Sequence, residues 1–329
     1  MKNYPFCSVL MPVYNGEKYL KEAIESILGQ TFPDFEFIII NDGSTDGTKW
    51  ILDFYSRSDS RIKVLTQGNR GIVSALNNGL KLCKGEWVFR MDSDDIAIPN
   101  RLQLQLNEIR EKPDLALVGG FCEQINENNI ILRSNKYPAE HKTLINNLES
   151  LKPFLPTPTI CFKRVAVNEV SGYRERFKYA DDIDLWLRLA EKGRFCCVQE
   201  VVTKLRKHSS NFSTVHFKEF QIYGDCAVVC YFRRKMGLSD PSSSDNITWH
   251  NFKGWVESRL DEMGIFEEEA ACQLLRDLWI SNAGIPLTKK LISLLKNCKI
   301  EFLLLKYVFR RFSGNIAYKL AVQSKGLFK

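Results

Sequence analysis

Cys7-Ser8-Val9-Leu10-Met11-Pro12-Val13-Tyr14, followed by Asn15-Gly16, is the stretch on which the reading of this chain turns. The run is apolar nearly throughout instead of alternating, which predicts a strand buried on both faces, as in a parallel sheet. Asn15-Gly16 predicts a turn. Beyond it, Tyr19, Leu20, Ala23, Ile24, Ile27 and Leu28 recur on one helical face. A second buried run covers 35–40, and a polar loop at 41–48 supplies helix N-caps. Trp50, Ile51, Phe54 and Tyr55 mark the next helix. A third strand is read at 62–65, a loop at 67–71, a helix at 72–83 and a fourth strand at 86–90. This alternation predicts an α/β fold: a doubly wound, mainly parallel, Rossmann-like sheet with right-handed crossovers. Such sheets bind ligands beyond the carboxyl ends of their strands.

Three polar segments fall at those ends: 13–16, 41–44 and 92–95. The last lies in Met91-Asp92-Ser93-Asp94-Asp95, three carboxylates in a tight turn. Each raises the cost of ionising the next unless a cation sits between them. Hard divalent ions take oxygen ligands and bridge to phosphates. The cluster therefore reads as a metal–diphosphate site, against the plainer reading of a solvated acidic turn. Asp42 reads either as an acceptor for a nucleobase imide N–H, with Tyr14 stacking on the base, or as a helix cap.

After residue 101 the pattern loosens. A helix is expected at 101–110 and a strand at 115–118 ended by Gly119-Gly120. A hairpin-rich excursion at 121–137 turns at Asn126-Glu127-Asn128-Asn129. Pro153, Pro156 and Pro158 mark an extended connector. Further strands are read at 160–162 and 198–205 and a helix at 184–192; helices follow from 216, with a surface loop at 240–245. Tyr179-Ala180-Asp181-Asp182-Ile183-Asp184-Leu185-Trp186-Leu187-Arg188 places three acids in four positions. First-turn acids suit the helix dipole. Alternatively, a carboxylate beside an incoming hydroxyl serves as a general base. Asp181 and Asp182 are expected to face a cleft, and Asp184 to pair with Arg188. His208 reads as a metal or phosphate contact, or as a surface histidine in a basic loop.

The 329 residues, 44% hydrophobic and 26% charged, describe an ordinary globular chain with room for a large domain and an appendage. No apolar run approaches the roughly 18–20 residues of a spanning helix. No h-region with a small-residue cleavage site opens the chain, so no signal peptide is expected. Ten cysteines are scattered among apolar neighbours without C-x-x-C pairs, which predicts reduced, buried thiols and no zinc site. The net charge of +7 is uneven: residues 286–329 carry ten Lys/Arg and one acid, net +9, leaving −2 for the rest. A basic tail suits an anionic surface. No G-x-G-x-x-G, P-loop or G-x-S-x-G motif is present, which argues against dinucleotide redox, P-loop and hydrolase-elbow chemistry.

Taken in order, these segments resemble the family 2 glycosyltransferases, inverting enzymes of bacterial cell-surface polysaccharide synthesis with the GT-A fold. Ser8–Gly16, Ser26–Phe32, Asn41–Thr48, Asn69-Arg70-Gly71, Ala75–Gly79, Met91–Asp95, Pro99–Leu102 and Asp181–Arg188 are similar to successive family motifs over about residues 6–210. The resemblance implies a GT-A catalytic domain over 1–215 and a helical region over 216–329 with a basic tail. It implies that Pro12, Tyr14 and Asp42 hold the uridine of a UDP-sugar, with Asn69 and Arg70 in the donor site. Asp92 would face the ribose and metal, and Asp94, with His208 as a further ligand, would hold Mn²⁺ or Mg²⁺ on the diphosphate. Asp182 would be the catalytic base, with Asp181 beside it. The acceptor would be a glycan or lipid-linked saccharide, in the cytoplasm or on the inner face of the membrane, and no nucleic acid is expected. Two departures stand out: the family often has Glu at position 181 and a His near Thr157. A sugar-nucleotide nucleotidyltransferase and a non-catalytic nucleotide-sugar-binding protein are the competing readings. For the apolar, basic run at 300–312, an interfacial helix and a helix packed on the core are both open.

Overall fold

The computed structural model of the chain describes residues 7–208 and 215–262. The chain divides into two compact units, one of residues 1–148 and 153–211, the other of 149–152 and 212–329. Residues 149–152 group with the second unit. The basic tail lies outside the described residues.

The first unit opens with the expected alternation: β1 (Cys7–Val13), α1 (Leu20–Leu28), β2 (Phe35–Asn41), α2 (Thr48–Ser58), β3 (Ile62–Thr66), α3 (Ile72–Leu82) and β4 (Trp87–Arg90). β1 pairs in parallel with both β2 and β4, and β2 with β3. The sheet continues through β8 (Cys161–Lys163), β6 (Leu115–Ile125), β9 (Arg194–Arg206) and β5 (Ile96–Ala97), in the order β3-β2-β1-β4-β8-β6-β9-β5. β7 (Ile131–Asn135) adds to β6 as a hairpin. β8 runs antiparallel to β4 and β6, whereas β6 and β9 are parallel.

The sheet is wound on both sides. Cys7, Val9, Met11, Phe37, Ile39 and Phe89 share one buried cluster with α1, α2 and α4 (Arg101–Glu111). Leu10 and Ile40 turn the other way, onto α3, close enough that a Cβ on Gly79 would lie 2.2 Å from Leu10 Cδ1. On that same face Trp186 of α7 (Asp181–Leu189) meets the Phe162 ring of β8 at 5.8 Å. The eight cysteines among the described residues are all buried.

Three elements depart from the sequence reading. β6 runs straight through Gly119-Gly120 to Ile125. The glycines are places of close approach: a Cβ would lie 2.6 Å from Leu155 Cδ1 at Gly119 and 2.5 Å from Val202 Cγ2 at Gly120. The β6–β9 register also shifts there, a bulge that glycine eases. Helix α7 starts at Asp181 and not at Asp184, because the Asp184 N–H already closes a turn on the Ala180 carbonyl, 3.1 Å away. β9 begins at Arg194, four residues before the expected strand, where Leu115–Gly120 of β6 supplies its partner.

The second unit holds α8 (Phe217–Lys235) and α9 (Asn246–Glu262), which pack on one another, with a Lys218–Glu257 ion pair at 3.1 Å. The loop read at 240–245 is a short capped turn in which Asp240 accepts from the Ser242 N–H at 2.9 Å, and Pro241 and Ser242 are buried. Among the described residues no helix is long and apolar enough to cross a membrane.

Candidate active site

Pro12 explains how the crevice opens. The Leu10 carbonyl accepts from the Met91 N–H at 3.1 Å, and the β1–β4 ladder stops there. Two residues on, Pro12 faces the same side, where no strand asks for its missing N–H. β4 peels away at this point into the acidic loop, while Val13 stays tied to β2 through the Asp42 N–H at 2.9 Å. The three carboxyl-end segments therefore line one edge, as the alternation predicts.

The loops after β1 and β2 are laced together. The Asn15 N–H donates to Ser44 Oγ at 3.0 Å, the Thr45 N–H to Asn15 Oδ1 at 2.8 Å, and the Gly16 N–H to Thr48 Oγ1 at 2.9 Å. Gly43 has φ +75°, and a Cβ there would sit 2.6 Å from the Asn69 backbone N, so the 41–44 and 67–71 loops meet only with glycine between them. Asp42, nearly fully buried, accepts from the Arg70 N–H (2.9 Å), the Gly71 N–H (2.8 Å) and Gln67 Nε2 (2.7 Å). It thus joins β2 to the start of α3, not to α2. Gln67 is held in turn by Asn78 Nδ2 at 2.7 Å. Tyr14 is 50% exposed, and Asn69 and Arg70 are exposed on the 67–71 loop.

The acidic loop separates its three carboxylates by partner. Asp92 pairs with Arg90, Nη2 to Oδ1, at 2.8 Å. Arg90 is buried, its Nη1 donates to the Met91 carbonyl at 2.6 Å, and burial works against its charge while Asp92, Tyr173 and Asp181 more than restore it. Desolvation raises the Asp92 carboxyl above its usual range; Asp94 and Asp182 add to this and Arg90 opposes it. Asp94 meets His208 Nε2 at 2.9 Å, and the imidazole lies over Tyr19, ring centres 5.4 Å apart. Asp95 is buried and accepts the Arg206 N–H at 2.7 Å; desolvation, with Asp94 and Asp92, holds its carboxyl well above the usual range.

Arg206, missed by the sequence reading, ties four segments together. Its guanidinium donates to the Asp94 carbonyl (2.9 Å), Asn129 Oδ1 (2.6 Å) and Glu22 (2.5 Å), and lies 4.5 Å over the Tyr19 ring. Arg101, fully buried, donates to the Arg90 carbonyl at 2.8 Å, and desolvation pulls its pKa down to about 10. The signal available for Arg90 was a charge ending a buried strand, Trp87-Val88-Phe89-Arg90. No comparable signal marked Arg206, whose partners are remote in sequence.

At the start of α7, Asp182 accepts from Thr157 Oγ1 at 2.8 Å and from the Ile183 N–H at 2.7 Å. Desolvation raises its carboxyl, and those two donors with Arg90 restrain the rise. Asp181 is pushed well above the usual range by desolvation and then by Asp182, with Arg90 opposing. Asp184 is buried between Arg188, at 2.6 Å, and Arg174. The expected Asp184–Arg188 pair is therefore present and internal. Asp92 interacts electrostatically with both Asp181 and Asp182, which brings the loop and the helix to one site. Among the described residues no three His, Cys, Asp or Glu side chains are grouped to hold a metal.

Residues 8–171 match the family model described as Glycosyl transferase family 2. The chain is 34% identical over 224 residues to the Escherichia coli O-antigen biosynthesis glycosyltransferase WbnJ, a match covering 67% of this chain and 85% of that protein. This chain belongs to glycosyl transferase family 2. It is a glycosyltransferase. It is also 32% identical over 214 residues to the Escherichia coli chondroitin synthase, a match covering 65% of this chain but only 30% of that protein. Its fold is GT-A: the Staphylococcus aureus TarS fragment 1–349 in complex with UDP-GlcNAc superposes with a TM-score of 0.56 at 18% identity, over 97% of this chain and 91% of that one.

Proposed function

We propose that this glycosyltransferase moves a hexosyl or N-acetylhexosaminyl group from a UDP-sugar to a hydroxyl of a glycan or lipid-linked acceptor, with inversion, in bacterial surface polysaccharide assembly. The observation that carries the proposal is the meeting of two differently compensated carboxylate clusters, Asp92–Asp94 and Asp181–Asp182, at the carboxyl edge of the sheet. The UDP-GlcNAc complex of TarS and the O-antigen role in the name of WbnJ support the donor and the pathway class.

In this reading the exposed Tyr14 stacks on the base beside Pro12, and Asp42, Asn69 and Arg70 shape the loop around the nucleotide. The touching Asp94 carboxylate and His208 imidazole would supply two donors to Mn²⁺ or Mg²⁺, with Asp92 held by Arg90 on the same loop; the three are not grouped as a cage, so phosphate oxygens and water would have to complete the shell. The upward pressure on Asp92 from its acidic neighbours is the kind of strain a cation relieves. When bound, the ion neutralises charge developing on the departing diphosphate. Asp182 takes the proton of the acceptor hydroxyl. Its raised carboxyl suits that task at neutral pH better than an ordinary aspartate. Asp181, its carboxyl raised by desolvation and then by Asp182, lies beside the base.

A UDP-release screen over UDP-sugars, with and without Mn²⁺, tests the proposal. Release of UDP from a UDP-sugar, dependent on the ion and enhanced by a saccharide acceptor, is the expected result. Binding without turnover in every combination would instead favour a nucleotide-sugar-binding protein.

A further inference from the structure

Arg206, at the end of β9, grips the acidic loop twice. Its backbone N–H donates to Asp95 Oδ1 at 2.7 Å and its Nε to the Asp94 carbonyl at 2.9 Å. The side chain is buried, and the rest of its guanidinium closes a ring of hydrogen bonds. Nη2 donates to Glu22 Oε2 at 2.5 Å, Nη1 to Asn129 Oδ1 at 2.6 Å, and Asn129 Nδ2 donates in turn to Glu22 Oε1 at 2.8 Å. Glu22 lies on α1 and Asn129 in the turn between β6 and β7. The acidic loop is thereby tied, through one residue, to two elements remote from it in sequence.

Side chains two residues apart on an extended chain share a face. The Lys207 N–H carries the β9 pairing one residue further, to the Ile125 carbonyl at 2.8 Å. Arg206 and His208 accordingly meet the same ring: the guanidinium lies 4.5 Å over the centre of Tyr19, and the imidazole centre lies 5.4 Å from it. His208 Nε2 then reaches Asp94 Oδ2 at 2.9 Å. Arg206 thus bears on Asp94 by two routes, directly at its carbonyl and through the shared Tyr19 face that backs His208. Among the described residues no third ligating side chain is grouped with Asp94 and His208, so their hold on an ion depends on how firmly those two are placed.

We propose that Arg206 is a positioning residue that sets the affinity of the Asp94–His208 pair for its divalent ion. The inference rests on the metal reading above. A guanidinium carries donors only and offers a cation nothing, so Arg206 acts through the two ligands it places. The partners that orient metal ligands are worth roughly 10- to 100-fold in metal affinity. Lysine at this position keeps the charge but loses the rigid fork, and one ammonium cannot reproduce the bonds to the Asp94 carbonyl, Asn129 and Glu22 together. The competing role is that of a staple which adds stability and nothing else, and the two roles differ in what they do to ion binding.

The test is Arg206→Lys in the full chain. Mn²⁺ is titrated into wild type and variant with UDP present, and the free ion is read from its electron paramagnetic resonance signal. The expected result is Mn²⁺ binding weakened roughly 10- to 100-fold, with UDP affinity in the absence of the ion unchanged. Transfer should then need correspondingly more Mn²⁺ for half its maximal rate and recover toward the wild-type kcat at saturating Mn²⁺. A mere loss of folded protein would instead lower the rate by one factor at every ion concentration. A lowered thermal midpoint with unchanged Mn²⁺ affinity would overturn the proposal and leave Arg206 a staple. So would an equal loss of UDP affinity without the ion. If Arg206→Lys fails to fold, Tyr19→Leu removes the shared ring face and should weaken Mn²⁺ binding roughly 3- to 10-fold; unchanged binding there would overturn the proposal in its place. A wild type that binds no Mn²⁺ with UDP present would sink the metal reading and the inference together, whereas normal wild-type binding that the variants leave untouched would sink the inference alone.

Discussion

Two short acidic segments, 92–95 at the end of β4 and 181–184 at the start of α7, each carry three aspartates, and the protein treats them differently. In each, the last acid is internal and structural: Asp95 holds the Arg206 N–H, and Asp184 sits between Arg174 and Arg188. Of the other acids, Asp92 interacts electrostatically with Asp181 and Asp182. On the β4 loop their partners are cationic or ionisable, Arg90 for Asp92 and His208 for Asp94. On the helix, the partners of Asp182 are neutral, the Thr157 hydroxyl and the Ile183 N–H. Beside Asp92 the guanidinium opposes the desolvation that still raises this carboxyl, which suits it to an anchoring role. A carboxylate held by neutral donors in an enclosed site has a proton affinity that can be tuned, which is what a general base needs.

The sharpest way to break this contrast is Asp182→Asn. It should lower kcat about 10²- to 10⁴-fold while leaving UDP affinity intact. Full transferase activity in that variant would remove Asp182 as the base. Asp184→Asn should behave as a folding defect. Leaving the buried Arg188 and the half-buried Arg174 without their carboxylate costs about 3–5 kcal/mol, seen as a lowered urea midpoint, with residual kcat per folded molecule near normal. A normal midpoint would show that Asp184 is not the structural member of its cluster. Asp94→Asn should reduce kcat/KM about 10²-fold and abolish any stimulation by Mn²⁺. Unchanged stimulation would detach the Asp94–His208 pair from the metal.

The smallest expected effect concerns Thr157. Activity should rise with pH as Asp182 loses its proton, with a midpoint above the ordinary carboxylate range, because desolvation raises that group. The Thr157 hydrogen bond favours the ionised form and so pulls the midpoint down. Thr157→Val should therefore move the acid limb to higher pH and cost roughly 3- to 10-fold in rate below the limb, with recovery at higher pH. An unmoved limb would mean that the hydroxyl only packs. The structure puts Thr157 against Asp182, the proposed base.

Legibility followed range. β1 to β4 and their helices were readable because each strand–helix step is local: continuous apolar runs for strands, 3.6-residue periodicity for helices. The later part misled wherever a distant partner decided the outcome. Gly119-Gly120 looked like the end of a strand, yet β9 and Leu155 make it the middle of one. The Asp42 carboxylate, read as a nucleobase contact or a cap, also accepts three bonds from the 67–71 loop, a tie that no local pattern announces.

By itself the sequence determined the wound sheet, the edge at which its polar loops gather and the residue types placed there, because short-range pattern and chain topology suffice for those. What each aspartate does was decided only by the tertiary structure. The proton affinity of Asp182 and the pairing of Asp94 depend on burial and on partners brought from 25 or more than 100 residues away, Thr157 for the first and His208 for the second. Arg90 and Arg206 acquire meaning only once the fold sets them against those carboxylates.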